Sequence, residues 1–352
     1  MSMISATILT GFLGAGKTTL LKRVLSQNHG LKLAIIENEF GSENIDHDIL
    51  VTGSKEQIIQ MNNGCICCTI REDLRAALQL LATQKRQGLL DFDRVVIETT
   101  GVADPGPVVQ TFFMDDEVAT CYLLDSILTL VDAKHAQAQL DQHQEARRQV
   151  GFADQIFISK TDLVAASDTT ALMDRLRQMN PRARLQAVHF GDVLLSDIFD
   201  LHGFHLDDRL GIDPDFLQSN DGHDHHPRCH EHGTDCGCQS HRLDHHHGRP
   251  HALHDDVSSF VFRSDKALDP KRLEDFLGAM VEVYGPRMLR YKGVLSMQGT
   301  DRKVIFQGVH QLMGSDLGQV WADGEKRESK MVFIGIDLPV DIFLQGMEQS
   351  LV

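Results

Sequence analysis

The N-terminal part of the chain contains a glycine-rich sequence that could hold phosphate groups. Residues 11–18 read Gly-Phe-Leu-Gly-Ala-Gly-Lys-Thr, between an apolar run at residues 4–9 and a helical pattern at residues 19–25. In this order of strand, loop and helix, backbone N–H groups and the positive end of the helix dipole surround phosphate oxygens. The Lys17 ammonium would reach the terminal phosphates, and the Thr18 hydroxyl would bind Mg²⁺. The motif predicts a nucleoside triphosphate site formed by Gly11, Gly14, Ala15, Gly16, Lys17, Thr18 and Thr19.

A second motif of the same kind follows an apolar run at residues 95–97. The run ends on Glu98, and Gly101 stands three positions later. The Glu98 carboxylate would lie near the magnesium ion or its waters, and the Gly101 backbone could approach the γ-phosphate. We therefore predict Lys17 and Glu98 as the catalytic residues. No glutamine or arginine stands at a motif position to assist the reaction, so unassisted hydrolysis should be slow.

The tetrapeptide Ser159-Lys160-Thr161-Asp162 follows a predicted strand, where guanine-binding proteins carry Asn-Lys-x-Asp. Asp162 would accept hydrogen bonds from the guanine N1 and N2 donors, and Lys160 would lie over the base. Ser159 replaces the usual asparagine, and the loss of one neutral hydrogen bond costs about 1 kcal/mol. We therefore expect a weakened preference for guanine. Read alone, the tetrapeptide also fits an ordinary polar turn between a strand and a helix.

Three cysteines, Cys65, Cys67 and Cys68, occupy four consecutive positions after a strand-like run and before a helical pattern. Thiolates this close together repel one another, and a bound cation such as Zn²⁺ relieves that repulsion. Glu37, at the end of the second predicted strand, could add an oxygen ligand because that strand ends at the same edge of the sheet. A redox pair is the weaker alternative, and buried packing cysteines the weakest. Zinc, cobalt and nickel all suit such ligands, so the sequence does not choose among them.

A segment at residues 220–256 is rich in histidine and almost free of apolar side chains. It holds more than half of the chain's 19 histidines, together with Cys229, Cys236 and Cys238. Imidazole and thiolate bind transition metals, so we expect several weak, exchangeable metal sites here. A solvated polar linker is the alternative.

The elements around these motifs predict two domains. Short β-rich runs alternate with helical patterns up to residue 189, which predicts an α/β fold of the P-loop NTPase type, a mostly parallel sheet with helices on both faces. We assign residues 1–205 to this domain, residues 206–256 to a linker and residues 257–352 to a smaller C-terminal α+β domain. Its predicted strands lie at 257–263, 293–297, 304–307 and 331–336, and its helices begin near 270 and 339.

Composition limits the partners and the compartment. The chain has 352 residues, 42% of them hydrophobic, and a formal net charge of −16. This charge makes nucleic acid an unfavourable partner and suits basic proteins or metal cations. No apolar run approaches the ~20 residues of a membrane helix, and the first strand leaves no room for an export signal, so we expect a cytoplasmic protein without a membrane partner. The odd number of cysteines, 7, favours metal ligands over disulfides.

Together, these motifs resemble those of the CobW-type metallochaperone GTPases, most closely the YjiA-like branch. The similarity covers nearly the whole chain except the histidine-rich segment. It implies slow hydrolysis of GTP to GDP, binding of zinc or a similar divalent ion, and delivery of that ion to a client metalloprotein. It also implies that Glu37, Cys67 and Cys68 form the internal metal site, with Cys65 as the third thiolate. Ser42 departs from the glutamate that the branch can carry at this position.

These residues suggest a switch. Because Glu37 belongs both to the nucleotide-responsive loop and to the metal site, nucleotide state and metal affinity should be coupled. Two other classes of protein remain open: a metal store with a vestigial nucleotide site, and a phosphotransferase acting on a small molecule. Within the same family, a nickel or cobalt chaperone is the alternative. Whether the chain forms homo-oligomers is also left open.

Overall fold

The computed structural model describes residues 3–27, 30–37, 57–60, 69–204 and 256–352. The first domain contains strands β1 to β7, and its sheet has the order β3-β2-β4-β1-β5-β6-β7 with every pairing parallel. The strands are β1 (Ile4–Gly11), β2 (Leu33–Glu37), β3 (Gln57–Gln60), β4 (Arg94–Glu98), β5 (Tyr122–Asp132), β6 (Gln155–Ser159) and β7 (Arg184–Ala187). All of them therefore end at one edge, the carboxyl edge of the sheet.

Helices cover both faces of this sheet. They are α1 (Lys17–Ser26), α2 (Thr69–Arg86), α3 (Pro105–Met114), α4 (Asp116–Cys121), α5 (Ala136–Gln142), α6 (Gln144–Phe152) and α7 (Ala166–Met179). Alternate residues of β1 face opposite cores, because Ile8 belongs to one buried cluster and Leu9 to the other. Leu78 of α2 lies in the first cluster and Leu20 of α1 in the second. The predicted P-loop NTPase fold is confirmed.

The second domain has a five-stranded antiparallel sheet in the order β11-β10-β9-β12-β8. Its strands and helices are β8 (Val257–Ser264), α8 (Pro270–Tyr284), β9 (Met288–Leu295), β10 (Arg302–Val309), β11 (Leu312–Val320), β12 (Ser329–Ile336) and α9 (Val340–Gln349). Leu277 of α8 and Phe343 of α9 pack with Phe333 on one face of the sheet. The predicted α+β domain is confirmed, while most of the predicted linker lies outside the described residues and the domain boundaries stay a prediction.

The other face of the second sheet packs against the first domain. Val257, Leu289 and Ile334 belong to the same buried cluster as the core of the first domain. Gly151 of α6 permits this close approach, because a Cβ at this position would lie 2.5 Å from Leu289 Cδ1. The two domains therefore share a continuous apolar core through α6.

A buried histidine of the second domain also reaches the first. His310 follows β10 with a left-handed backbone (φ +51°), and its Nδ1–H donates to Gly285 O at 3.2 Å. Its Nε2 lies 2.5 Å from where a Cβ of Gly106 would stand, and its ring is 5.2 Å from that of Phe152. Burial holds the pKa of His310 below its ordinary value, although the charge of Asp104 and the bond to Gly285 oppose this.

Replacing His310 with asparagine should make the stability of the protein less dependent on pH. Below about pH 6.5 the unfolded histidine takes up a proton that the buried side chain resists, so acid favours unfolding of the parent. Asparagine does not titrate, tolerates positive φ and can still donate to Gly285 O. Unfolding midpoints measured between about pH 7.5 and about pH 5.5 should fall less in the variant. Parallel losses in the two proteins would contradict this assignment.

None of the helices within the described residues is both long and apolar enough to span a bilayer.

Candidate nucleotide and metal site

The predicted phosphate loop connects the end of β1 with the start of α1. Gly11 (φ +141°), Gly14 (φ +74°) and Gly16 (φ +102°) all have backbone conformations that disfavour other residues. A Cβ at Gly11 would also collide with the Leu130 carbonyl oxygen. The Ala15 N–H donates to Phe12 O at 3.2 Å, which closes the loop. The three glycines therefore have a physical role in shaping the loop.

Lys17 and Thr18 are the first residues of α1, where backbone N–H groups and the helix dipole favour anions. Lys17 Nζ donates to Gly11 O at 2.8 Å and approaches Phe12 O at 3.5 Å, so the ammonium lies along the loop. Thr18 Oγ1 donates to Glu98 Oε1 at 3.2 Å. Thr19 is exposed at the same helix end. The structure thus brings the two predicted magnesium-site residues, Thr18 and Glu98, into contact.

Glu37 and Glu98 are neighbours at the carboxyl edge of the sheet. Glu98 pairs with Leu9 of β1 on one side and with Glu37 of β2 on the other, and Glu37 in turn pairs with Gln60 of β3. A row of paired residues therefore runs from the strand of the phosphate loop to the strand that precedes the cysteines. Glu37 and Glu98 each make further interactions within the protein.

The segment after Glu98 lies directly against the phosphate loop. A Cβ at Gly101 would be only 2.7 Å from Leu13 N and 2.8 Å from Leu13 Cα, so only glycine fits here. Gln149 of α6 holds the same segment, because its Nε2 donates to Gly101 O at 3.2 Å and to Ala103 O at 3.0 Å. Within the described part of the chain, the buried Thr100 hydroxyl has no hydrogen-bond partner. Gln149 therefore fixes the backbone of this segment beside the phosphate loop.

The predicted base-recognition residues lie at the end of β6. Ser159 Oγ donates to Ala15 O at 2.7 Å, so this hydroxyl braces the phosphate loop. Lys160 has a left-handed backbone (φ +58°), and its Nζ donates to Gly14 O at 2.8 Å and to Asp132 Oδ2 at 2.7 Å. Asp162 is partly exposed, and its Oδ1 is 3.6 Å from His189 Nδ1. The tetrapeptide is thus joined to the phosphate loop, as a single nucleotide site requires.

Asp132, at the end of β5, is a site residue that the sequence analysis missed. Burial alone would raise its pKa, but hydrogen bonds from Lys160, His135 and the Lys134 N–H outweigh it, so the pKa lies below its ordinary value. The buried carboxylate therefore stays charged and fixes the Lys160 ammonium. An acidic residue that ends an apolar strand was the available signal, since the same signal identified Glu98.

Among the predicted ligands of the zinc site, the structure describes only Glu37. Cys65, Cys67 and Cys68 lie outside the described residues, as do Ser42 and the histidine-rich segment. Within the ranges that are described, no group of three or more His, Cys, Asp or Glu side chains could hold a metal ion. The predicted thiolate site and the roles of all the site residues stay predictions.

Comparison with known proteins agrees with this architecture. Residues 5–186 match the family model of the CobW/HypB/UreG nucleotide-binding domain, and residues 257–351 match that of the cobalamin synthesis protein cobW C-terminal domain. The chain is 39% identical over 340 residues to the zinc chaperone YjiA of Escherichia coli, covering 96% of each. It is 32% identical over 282 residues to the zinc-regulated GTPase metalloprotein activator 1 of Schizosaccharomyces pombe, covering 78% of this chain and 65% of that one.

A solved structure supports the same assignment over the whole length. The crystal structure of the Zn(II)-bound YjiA GTPase from E. coli superimposes with a TM-score of 0.76 at 34% identity, covering 99% of both chains. The family resemblance inferred from the motifs is therefore confirmed, and the chain belongs to the CobW/HypB/UreG family.

Proposed function

We propose that this chain is a GTP-hydrolysing metallochaperone that binds zinc or a similar divalent ion and transfers it to a client protein. The observation that carries the proposal is the row formed by Thr18, Glu98 and Glu37. Thr18 Oγ1 donates to Glu98 Oε1 at 3.2 Å, and Glu98 pairs with Glu37 on the neighbouring strand. Glu98 is thus the single residue between Thr18, which would bind the magnesium ion of the nucleotide, and Glu37, which would bind the transition metal. The relatives named as zinc chaperones and as a zinc-regulated GTPase support both halves of the proposal.

The nucleotide half rests on an oxygen donor set and a cationic loop. The Thr18 hydroxyl and the Glu98 carboxylate are hard oxygen donors of the kind that suits Mg²⁺, which would neutralise charge on the phosphate oxygens. Lys17 would contribute a second positive charge at the terminal phosphates. Asp162 would accept from the guanine edge, and Lys160 would cover the base from the position that Asp132 fixes.

Hydrolysis would require little covalent chemistry from the protein. A water oxygen bonds to the γ-phosphorus while the bond from phosphorus to the β–γ bridging oxygen breaks, and the electron pair of that bond leaves with GDP. The attacking water would give up a proton to a phosphate oxygen or to solvent. The proposed task of the chain is to hold the phosphates in line and to stabilise the charge that develops on them. The Lys17 ammonium and the N–H groups at the start of α1 are the groups suited to that task.

The metal half rests on chain connectivity at the edge of the sheet. Gln60 pairs with Glu37, and Cys65 follows Gln60 by five residues, a reach of at most about 18 Å. Cys68 is bonded to Thr69, the first residue of α2, and a helix N-terminus favours the thiolate form of cysteine. These constraints support a site in which Glu37, Cys65, Cys67 and Cys68 hold the metal as cargo.

Nucleotide and metal should then influence each other through Glu37 and Glu98. A γ-phosphate that draws in the segments after these residues would change the position of the Glu37 carboxylate. Binding free energies are reciprocal, so if GTP tightens zinc binding, zinc tightens GTP binding by the same factor. Hydrolysis would loosen the site and release the ion to a client docked on the second domain.

Zinc affinity should therefore be higher with a non-hydrolysable GTP analogue than with GDP. A coupling in the usual range corresponds to about 5- to 150-fold, measured by competition with a chelating dye. Cys67→Ala and Cys68→Ala should remove most of the affinity, whereas Cys121→Ala at the amino edge of the same sheet should not. Equal affinities in the two nucleotide states would refute the switch. Unchanged affinity in the Cys67 and Cys68 variants would refute the thiolate site.

The reaction products test the enzymatic half separately. Incubation with GTP should give GDP and phosphate, and added zinc should change the rate in the parent but not in the Cys67→Ala and Cys68→Ala variants. A phosphorylated small molecule in place of free phosphate would instead indicate a phosphotransferase.

A further inference from the structure

The loop that follows β7 lies beside the predicted guanine site. Strand β7 pairs with β6, so both strands end at the same edge of the sheet, and the Val188 N–H continues this pairing by donating to Ile158 O at 2.8 Å. The chain then turns, with the Asp192 N–H donating to His189 O at 2.9 Å. His189 Nδ1 lies 3.6 Å from Asp162 Oδ1. We call residues 188–192 the β7 loop.

Phe190, at the tip of the β7 loop, has an unfavourable backbone conformation and is exposed although its side chain is apolar. Its φ is +46°, a left-handed conformation that bulky residues rarely adopt. The residue is 75% exposed, the largest exposed fraction among the big hydrophobic residues of the described chain. Within this part of the chain, its ring contacts the His189 ring edge-to-face at 4.5 Å. Strained residues of this kind concentrate at ligand clamps.

The strain at Phe190 is maintained by packing against the phosphate-loop helix. The next residue, Gly191, also has positive φ (+70°), and a Cβ there would lie 3.0 Å from Leu20 Cα and 3.4 Å from Thr19 O. Asp192 adds an exposed ion pair with Arg23 of α1 at 3.6 Å. The β7 loop is therefore pressed onto α1, next to the residues predicted to hold the phosphates.

We propose that Phe190 stacks on the purine base of the bound nucleotide, next to the base edge that Asp162 would contact. This inference rests on the proposed nucleotide site. A base whose N1 and N2 groups donate to Asp162 would lie close to His189, because His189 is adjacent to Asp162. The His189 ring in turn contacts the Phe190 ring. Stacking on the base covers the exposed ring, which gives the strained turn a function.

Phe190 and Asp162 would make different contributions to recognition of the base. Every base has an aromatic face, so stacking on Phe190 strengthens binding without choosing among purines. Asp162 selects guanine because adenine has neither the N1–H nor the 2-amino group from which the carboxylate would accept. Phe190 therefore sets the affinity for nucleotide, while Asp162 sets the preference for guanine.

The test is the affinity for GDP and ADP of the full-length chain, measured by calorimetry. Phe190→Ala and Phe190→Gly should each weaken GDP about tenfold, the usual scale for a lost base–aromatic stack, with ADP weakened by a similar factor. Phe190→Trp should bind within about twofold of the parent because it keeps an aromatic face. Glycine adopts positive φ freely, so Phe190→Gly removes the ring without straining the loop. Any loss of affinity in this variant therefore reports the missing ring.

Leu194→Ala is the matched control, since Leu194 is 69% exposed and lies just beyond the same loop. It should leave GDP affinity unchanged. Parent-like affinity in Phe190→Gly would overturn the clamp, and so would an equal loss in Phe190→Trp and Phe190→Ala. Failure of the parent to bind GDP at all would instead overturn the proposed nucleotide site, so the two failures are distinguishable.

Discussion

Lys17→Ala should lower the rate of GTP hydrolysis by at least about 100-fold, the usual cost of removing one group that stabilises transition-state charge. Lys17 Nζ lies 2.8 Å from Gly11 O, where the phosphate loop already holds the ammonium in place. Such a group needs no reorganisation when charge develops on the transferred phosphoryl group. The measurement is phosphate release at saturating GTP, together with the affinity for GDP.

Lys22→Ala, further along α1, is the control for a general effect of removing a lysine from this helix. It should hydrolyse GTP at the parental rate. Equal unfolding midpoints would show that Lys17→Ala remains folded. If Lys17→Ala kept the parental rate, the hydrolysis would not occur at the phosphate loop, and a metal store with a vestigial nucleotide site would become the better description of the chain.

Arg290→Ala should destabilise the protein by about 3 to 5 kcal/mol, the usual cost of breaking a buried ion pair from one side. Arg290 of β9 and Asp154 before β6 are 4% and 8% exposed, and Arg290 Nη2 lies 2.9 Å from Asp154 Oδ1. The guanidinium also donates to Phe152 O and Gly203 O, each at 3.0 Å. Alanine would leave the Asp154 carboxylate buried without its cation, at the contact between the two domains.

Guanidinium chloride unfolding, followed by circular dichroism, measures this effect. Removing both charges with Asp154→Leu and Arg290→Met should cost less than Arg290→Ala, because no buried charge is then left alone. Lys271→Ala is the surface control. Its ion pair with Asp275 is highly exposed and contributes at most about 0.5 kcal/mol. A loss below about 1 kcal/mol in Arg290→Ala would show that this ion pair does not hold the domains together.

The parts of the site that could be predicted are those formed by residues close together in the sequence. Gly11, Gly16, Lys17 and Thr18 act within one loop, so their spacing carries the information. Many buried strands end on glutamate, so Glu98 was recognisable only because Gly101 follows it and because the same chain carries a phosphate loop. The proximity of Thr18 and Glu98 followed from the motifs, because both residues are predicted to serve the same magnesium ion.

What could not be predicted depends on residues distant in sequence. Asp132 becomes informative only when its partner Lys160 is brought beside it by the pairing of β5 with β6. Strand β7 has the sequence Arg-Leu-Gln-Ala and is largely exposed, so no apolar run marks it or the loop that follows. Strand β9 was predicted to start five residues late, because Arg290 and Lys292 read as surface residues although the structure buries both.

Helix α6 contacts both the segment that follows Glu98 and the second domain. Gln149 of α6 donates to the backbone of the segment that follows Glu98, and Gly151, two residues later, packs against the sheet of the second domain. We therefore expect a partner that binds the C-terminal domain to influence, through α6, the segment beside the phosphate loop and with it the exchange of nucleotide.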